Sequence, residues 1–300
     1  MLYYRHVLTL FLALLFCFLM SAATAMAPLI ITDTHTGKTI SQNTLRDRLA
    51  QADVVFLGEQ HTDGATHALE LTVLEGLHQR AGGRLTLGME MWERDVQPAL
   101  DAYLHGQTDE AAFRKTARPW SNYQTDYRPL VEYAKANDIP VLASNVPQPI
   151  ASAIGKRGLA ALTDAPPGQA AALVQAPHDS AWLRFQAVME AMGSAHGGAA
   201  MDAATIGHFY EAQVVRDETM AESITRRLEA APNGLVLHLN GQFHSDYGDG
   251  IPRRVLWRRP LTRILIVSVI PVADFKKAPS STDKALADYI VLVPVPPAKP

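Results

Sequence analysis

The stretch DVVFLGEQHTDGATHALELTVLEGLHQR, residues 53–80, decides the fold. Its apolar run from Val54 to Leu57 ends abruptly at Gly58, Glu59, Gln60 and His61, and a second imidazole, His67, follows six residues later. A short apolar run bounded by turn residues reads as a buried strand. The chain then turns straight into a helix, in which Ala68, Leu71, Leu74 and Leu77 form a core-facing stripe of the expected period.

The same grammar recurs along the chain. Buried strands are expected at 54–58, 85–90, 139–145, 235–241 and 263–270, with a weaker sixth at 288–294. Helical patterns separate most of them. The fold class that follows is α/β, a mainly parallel sheet flanked by helices. Residues 98–136 read as helical and rich in aromatics, and about 150–230 as a largely helical insertion beside the sheet, broken at 193–200 (GSAHGGAA). The tail VPVPPAKP (293–300) has no evident means of burying itself, so fraying is expected there.

The first 27 residues have the layout of a secretory signal: Arg5, an apolar run from Val7 to Met20, then small residues up to Pro28. Cleavage after Ala25 or Ala27 leaves one α/β domain, 28–300, exported to the periplasm. The rival reading is an uncleaved membrane anchor, since no charge falls between Val7 and Ala27. The only cysteine, Cys17, follows Phe16 inside the apolar run, which argues against a lipid anchor. A domain exported without disulfides must be stabilised by its core, and about 270 residues suffice for one. Of 27 basic residues only Arg5 lies in the leader, against 30 acidic ones. That balance argues against nucleic acid as a partner.

Each strand ends in polar residues: Glu59 and His61, then Glu90, then Ser144 and Asn145, then Asn240 leading to His244. In an open parallel sheet, ligands bind beyond the carboxyl ends of the strands. Residues far apart along the chain are therefore expected at one rim. Singly, any of them is more often a cap or a solvated side chain; together they point to a site. Glu59, His61, His67, Glu90 and His244 are candidate ligands for a divalent metal, with Glu59 or Glu90 as general base in a hydrolase. No zincin or serine-hydrolase motif is present. In the helix around 206–228, Tyr210, Gln213 and Asp217 continue the apolar stripe of Ile206, Met220, Ile224 and Leu228. They either serve a ligand or emerge into solvent.

GEQH (58–61), GMEMWERDVQPALDAYLHG (88–106), YRPLVEYAKANDIPVLASNVP (127–147), FYEAQVVRDETMA (209–221) and NGQFHSDYG (240–248) together resemble the ChaN family, exported haem-binding uptake proteins within the Tiki superfamily. That superfamily is marked by two Gly-x-x-His elements and a pair of glutamates, matched here by Gly58–His61, Gly241–His244, Glu59 and Glu90. The resemblance implies a homodimer holding haem between protomers with tyrosine ligation, partnered by an outer-membrane haem receptor or a periplasmic carrier. Tyr210, Tyr123 and Tyr127 are the candidate ligands, with His208 as an outside choice and Gln213 and Asp217 nearby. Trp120 and Phe209 join the tyrosines as candidate walls of an aromatic slot. Relatives in the superfamily include proteases and erythromycin esterases, so the alternative is a metal-dependent hydrolase built on Glu59, His61, Glu90 and His244. Gln148 stands where the family commonly has arginine, which removes one cation for a haem propionate.

Overall fold

The run Val54–Glu59 forms a central strand of an eight-stranded sheet. The computed structural model describes residues 29–177, 179–195, 201–277 and 283–295. The expected leader, the end of the 193–200 break and residues 296–300 lie outside the described residues. The strands are β1 (Ile30–Asp33), β2 (Lys38–Ile40), β3 (Val54–Glu59), β4 (Leu85–Glu93), β5 (Val141–Asn145), β6 (Leu235–Gly241), β7 (Ile264–Val272) and β8 (Tyr289–Pro294). Their order is β2-β1-β8-β7-β3-β6-β4-β5. From β8 to β5 every pairing is parallel, while β1 joins β8 and β2 antiparallel.

The sheet is covered on both faces. Val55 and Leu57 point into one core with Leu87, Leu237, Leu239 and Val267. Helices α1 (Gln42–Leu49), α2 (Gly64–Ala81), α3 (Gln97–Leu104), α4 (Glu110–Ala117) and α5 (Arg128–Ala136) pack over that side. Val54, Phe56 and Val236 point the other way, against Met220, Ile224, Ile251 and Val255. On that side lie α6 (Gln148–Arg157) and α8 (Ala203–Ala230), which pack together, with α9 (Ile251–Arg258); α7 (Ser180–Ala195) lies against α8. The period of two thus serves two cores, so the strand sequences read as continuously apolar. All four residues from Val54 to Leu57 are fully buried, each contributing about 1.5–3 kcal/mol.

Three expectations need correction. The hairpin β1–β2 was not anticipated: its strands are four and three residues long, and β2 is largely exposed, so neither shows a readable period. The tail does bury its start, since β8 lies between β7 and β1 and encloses Val293. The buried face of α2 comprises Thr66, His67, Leu69, Glu70, Val73, Leu74 and Leu77, whereas Ala68 is exposed and Leu71 half-buried. Polar residues take the inward positions at the start of the helix because Glu59 sits beneath them.

Candidate functional site

β3 and β6 run side by side with Gly58 opposite Asn240 and Glu59 opposite Gly241, so their polar termini emerge together. β4, on the far side of β6, brings Glu90 to the same rim. A Cβ on Gly241 would meet His61 Nε2 at 2.9 Å and Glu90 Oε2 at 3.7 Å. Any side chain at that position would have to push the His61 ring aside, which glycine avoids.

The first pair is Glu59 with His61. His61 Nδ1 lies 2.5 Å from Glu59 Oε1, which also accepts from the Tyr127 hydroxyl at 2.8 Å. Asn122 holds the backbone of His61 by donating to its carbonyl at 2.7 Å. Burial raises the Glu59 carboxyl, but hydrogen bonds from His61 and His67 outweigh it and hold the group well below the ordinary range. Burial likewise opposes charge on His61, yet Glu59 and Glu90 raise its pKa overall. The His61 side chain is 39% exposed, so a charged or proton-bearing ring faces solvent above a buried carboxylate.

The second pair is Glu90 with His244. His244 Nε2 lies 3.2 Å from Glu90 Oε1, and Nδ1 lies 2.5 Å from Asp217 Oδ1. Gln213 Nε2 lies 2.9 Å from the same Nδ1. The backbone amide of Gly241 donates to Glu90 Oε2 at 2.8 Å. Burial disfavours both charges, but the pairing wins, taking Glu90 down to about 2 and His244 up to about 10. Asp217 also faces Arg254, a guanidinium only 1% exposed. Deeper still, His238 sits between Ser144 and Asn240, where burial pushes its pKa down to about 4. Asn145 donates to the Glu90 carbonyl at 3.0 Å. The structure therefore brings Glu59, His61, Glu90 and His244 to one rim, and Gln213 and Asp217 join them from α8.

Among the described residues, the three candidate ligand atoms that fall within 4.8 Å of one another belong to Glu59, His67 and Glu70. Glu70 was not anticipated from the sequence. The signal that marks it is the i, i+3 spacing from His67 on a helix whose interior positions should be apolar.

Beside the rim opens a cavity of ≈ 440 Å³ between α7, α8, α9 and the segment after β6. Tyr210, Gln213, Asp217, Phe243, Tyr247, Val188, Arg184 and Arg254 are among its walls. The expected aromatic slot is divided. Tyr123 and Tyr127 belong to the core on the opposite face of the sheet, because their rings fill the space beside Trp92, His67 and Trp120. Trp120 packs edge-on against His61 at 4.8 Å, and Phe209 packs over Gly155. His208 lies against Gly158. Of the four candidate ligands only Tyr210 lines the cavity, and its hydroxyl donates to the Pro177 carbonyl at 2.9 Å. Burial and neighbouring acids raise the Tyr127 hydroxyl far above its ordinary value, and burial raises Tyr210 as well.

Tyr247 escaped the sequence reading. It lines the cavity, is 42% exposed and has φ of 62°, a conformation unfavourable for a non-glycine residue by roughly 1–3 kcal/mol. Its signal lay in the motif NGQFHSDYG, three residues beyond His244.

Among known proteins, the family described as haem-binding uptake, Tiki superfamily, ChaN matches residues 45–255. The solved structure of cofacial haem binding to ChaN of Campylobacter jejuni superposes with a TM-score of 0.68 at 18% identity, covering 88% of this chain and 96% of that one. At that identity the likeness speaks for the fold. RETICULATA-RELATED 5, a chloroplastic protein of Arabidopsis thaliana, is 22% identical over 258 residues, 81% of this chain. This chain spans about a third (34%) of that protein's length. An erythromycin esterase mutant in its open conformation superposes with a TM-score of 0.48 at 11% identity, over 89% of this chain and 83% of its own, too distant a likeness to carry an argument about chemistry.

Proposed function

The chain belongs to the ChaN family of haem-binding uptake proteins, within the Tiki superfamily, and from that premise we propose that it is itself a haem-binding protein of iron uptake in the periplasm. The family match across residues 45–255 is the observation that carries this reading.

The residues around the cavity fit the group. A porphyrin needs apolar contact, a cation for its propionates and an axial ligand. Phe243 and Val188, each 43% exposed, offer an apolar wall open to solvent. Arg184 at the same cavity supplies a cation, and its half-buried position beside Asp249 keeps it there. Tyr247 is the best-placed axial ligand: it is half-exposed, whereas Tyr123 and Tyr127 are enclosed by core and Tyr210 is held by Pro177. Haem bound through a tyrosinate favours the ferric state, which suits a carrier in an oxidising compartment. The exposed apolar rim is where a second copy would close over the ligand, in keeping with a homodimer. A haem receptor or periplasmic carrier would be the exchange partner.

Haemin difference spectra test the ligand. Tyr247→Phe is expected to lose the tyrosinate charge-transfer band and weaken binding about tenfold or more, while Tyr123→Phe and Tyr127→Phe keep the band. Retention of the band by Tyr247→Phe would remove Tyr247 from the role.

One observation favours a second reading. A half-exposed imidazole, His61, held by a buried carboxylate beside a second such pair, is an arrangement suited to general acid–base chemistry. A hydrolase of this kind would use His61 at the solvent side, with Glu59 orienting it. Ester or peptide turnover that is abolished by His61→Ala would support it; turnover unchanged in that variant would dismiss it.

A further inference from the structure

Inward of His61, Glu59 meets two residues, His67 and Glu70, that neither reading uses. His67 Nδ1 is 2.9 Å from Glu70 Oε2 and 3.3 Å from Glu59 Oε2. Glu59 is 2% exposed, His67 5% and Glu70 0%. Glu70 Oε1 is buried without a hydrogen-bond partner, and Glu59 Oε2 faces only His67 Nδ1, in a contact too poorly aligned to satisfy it. An orphaned buried acceptor costs about 1–3 kcal/mol, more when charged, and two carboxylates out of water repel each other. A cation between them removes both costs.

We infer that Glu59, His67 and Glu70 form a buried three-ligand site for a divalent transition-metal ion such as zinc, with the fourth position of the tetrahedron left to water, pinning the first turns of α2 to the end of β3. The spacings suit it. Oxygen and nitrogen ligands about 2.0–2.2 Å from a tetrahedral ion lie roughly 3.3 Å apart. Two carboxylates and a neutral imidazole carry the charge that a divalent ion balances.

The surroundings already hold each ligand in the required attitude. His67 Nε2 faces the His61 carbonyl at 3.3 Å and Asp126 Oδ2 at 3.6 Å. A proton held there leaves Nδ1 as the ligand atom, the usual outer partnership of a metal-bound imidazole. His61 and Tyr127 both occupy Glu59 Oε1 and so leave Oε2 for the ion. Because all three ligands are enclosed, the ion is captured as the chain folds. The site is independent of haem binding and is read in haem-free protein.

The test unfolds the haem-free protein in denaturant with chelator, refolds it with one equivalent of Zn2+ or Co2+, and dialyses it before metal analysis. Close to one ion per chain and a higher Tm than after metal-free refolding are expected. Glu70→Gln and His67→Gln should lose the ion, whereas His244→Gln should keep it. Absence of retained metal in the wild type would overturn the site, leaving the three groups as a proton-sharing cluster. Equal retention by Glu70→Gln, or loss in His244→Gln alone, would overturn it as well. Should the Glu70 and His67 variants fail to fold, the cobalt-refolded wild type decides: intense d–d absorption of a tetrahedral ion supports the site, and its absence counts against it. Neither result bears on haem binding.

Discussion

At the scale of single residues, the pair Glu90–His244 has the clearest energetic consequence. Both groups are buried, and each keeps the other charged. Glu90→Gln leaves His244 with Asp217 alone and should cost about 3–5 kcal/mol in urea unfolding, the usual penalty for breaking a buried ion pair. A loss below about 1 kcal/mol would mean that the charge is not held as the geometry implies. The pH dependence has a definite sign. Glu90, lowered from 4.5 to about 2, contributes stability above pH 4.5 that is lost as pH falls toward 2. His244, raised from 6.5 to about 10, contributes stability below pH 6.5 that is lost as pH rises toward 10. The urea midpoint should therefore be highest between these two ordinary values and decline on the alkaline side. His244→Gln should make that alkaline decline shallower. A midpoint that climbs between pH 7 and 9 would contradict the pairing. The rim residues Glu59, His61, Glu90 and His244 were legible because each is a polar group set in, or a few residues beyond, an apolar strand run. Glu70 and Tyr247 were not: one sits inside a helix that reads as ordinary, the other beyond a loop whose path no local pattern dictates.

At the scale of elements, the turn between His244 and α9 sets the site. A Cβ on Gly250 would meet the His244 carbonyl oxygen at 2.1 Å. Backbone cannot swing aside as a side chain does, so Gly250→Ala should displace His244 and cost about 1–3 kcal/mol. It should also raise the exchange rate of amides from 242 to 250, measurable by hydrogen exchange; unchanged protection would argue that the turn has slack. Six strands were legible because β3 to β8 carry apolar, β-branched runs that serve two cores at once. The edge hairpin was not, since Lys38 and Thr39 face solvent and Ile31 is its one buried apolar residue, beside the buried polar Thr32 and Asp33. In α2 the inward rotation of His67 and Glu70 defeats an apolar-stripe reading, because tertiary pairing with Glu59 overrides the local pattern. For α8 the stripe held: Tyr210 and Asp217 are buried with Ile206, Met220, Ile224 and Leu228.

At the scale of the molecule, one sheet separates two regions with different duties. On the α2–α5 side, Trp92, Phe113, Tyr123 and Tyr127 fill a closed core, and Trp120, packed on Tyr127, lies edge-on against His61. On the α8–α9 side the rim opens into the cavity of ≈ 440 Å³. Under the proposed haem-binding function that opening takes the ligand, and its half-exposed Phe243, Tyr247 and Val188 are the kind of apolar surface that a bound group covers. The most direct measurement is equilibrium titration of the purified, haem-free protein with haemin, followed by Soret absorbance and by sedimentation. Haem binding predicts a saturable Soret shift that breaks at a fixed haem-to-chain ratio, with a change from monomer toward dimer. An absorbance that rises linearly as for haemin in buffer, without saturation, would contradict it.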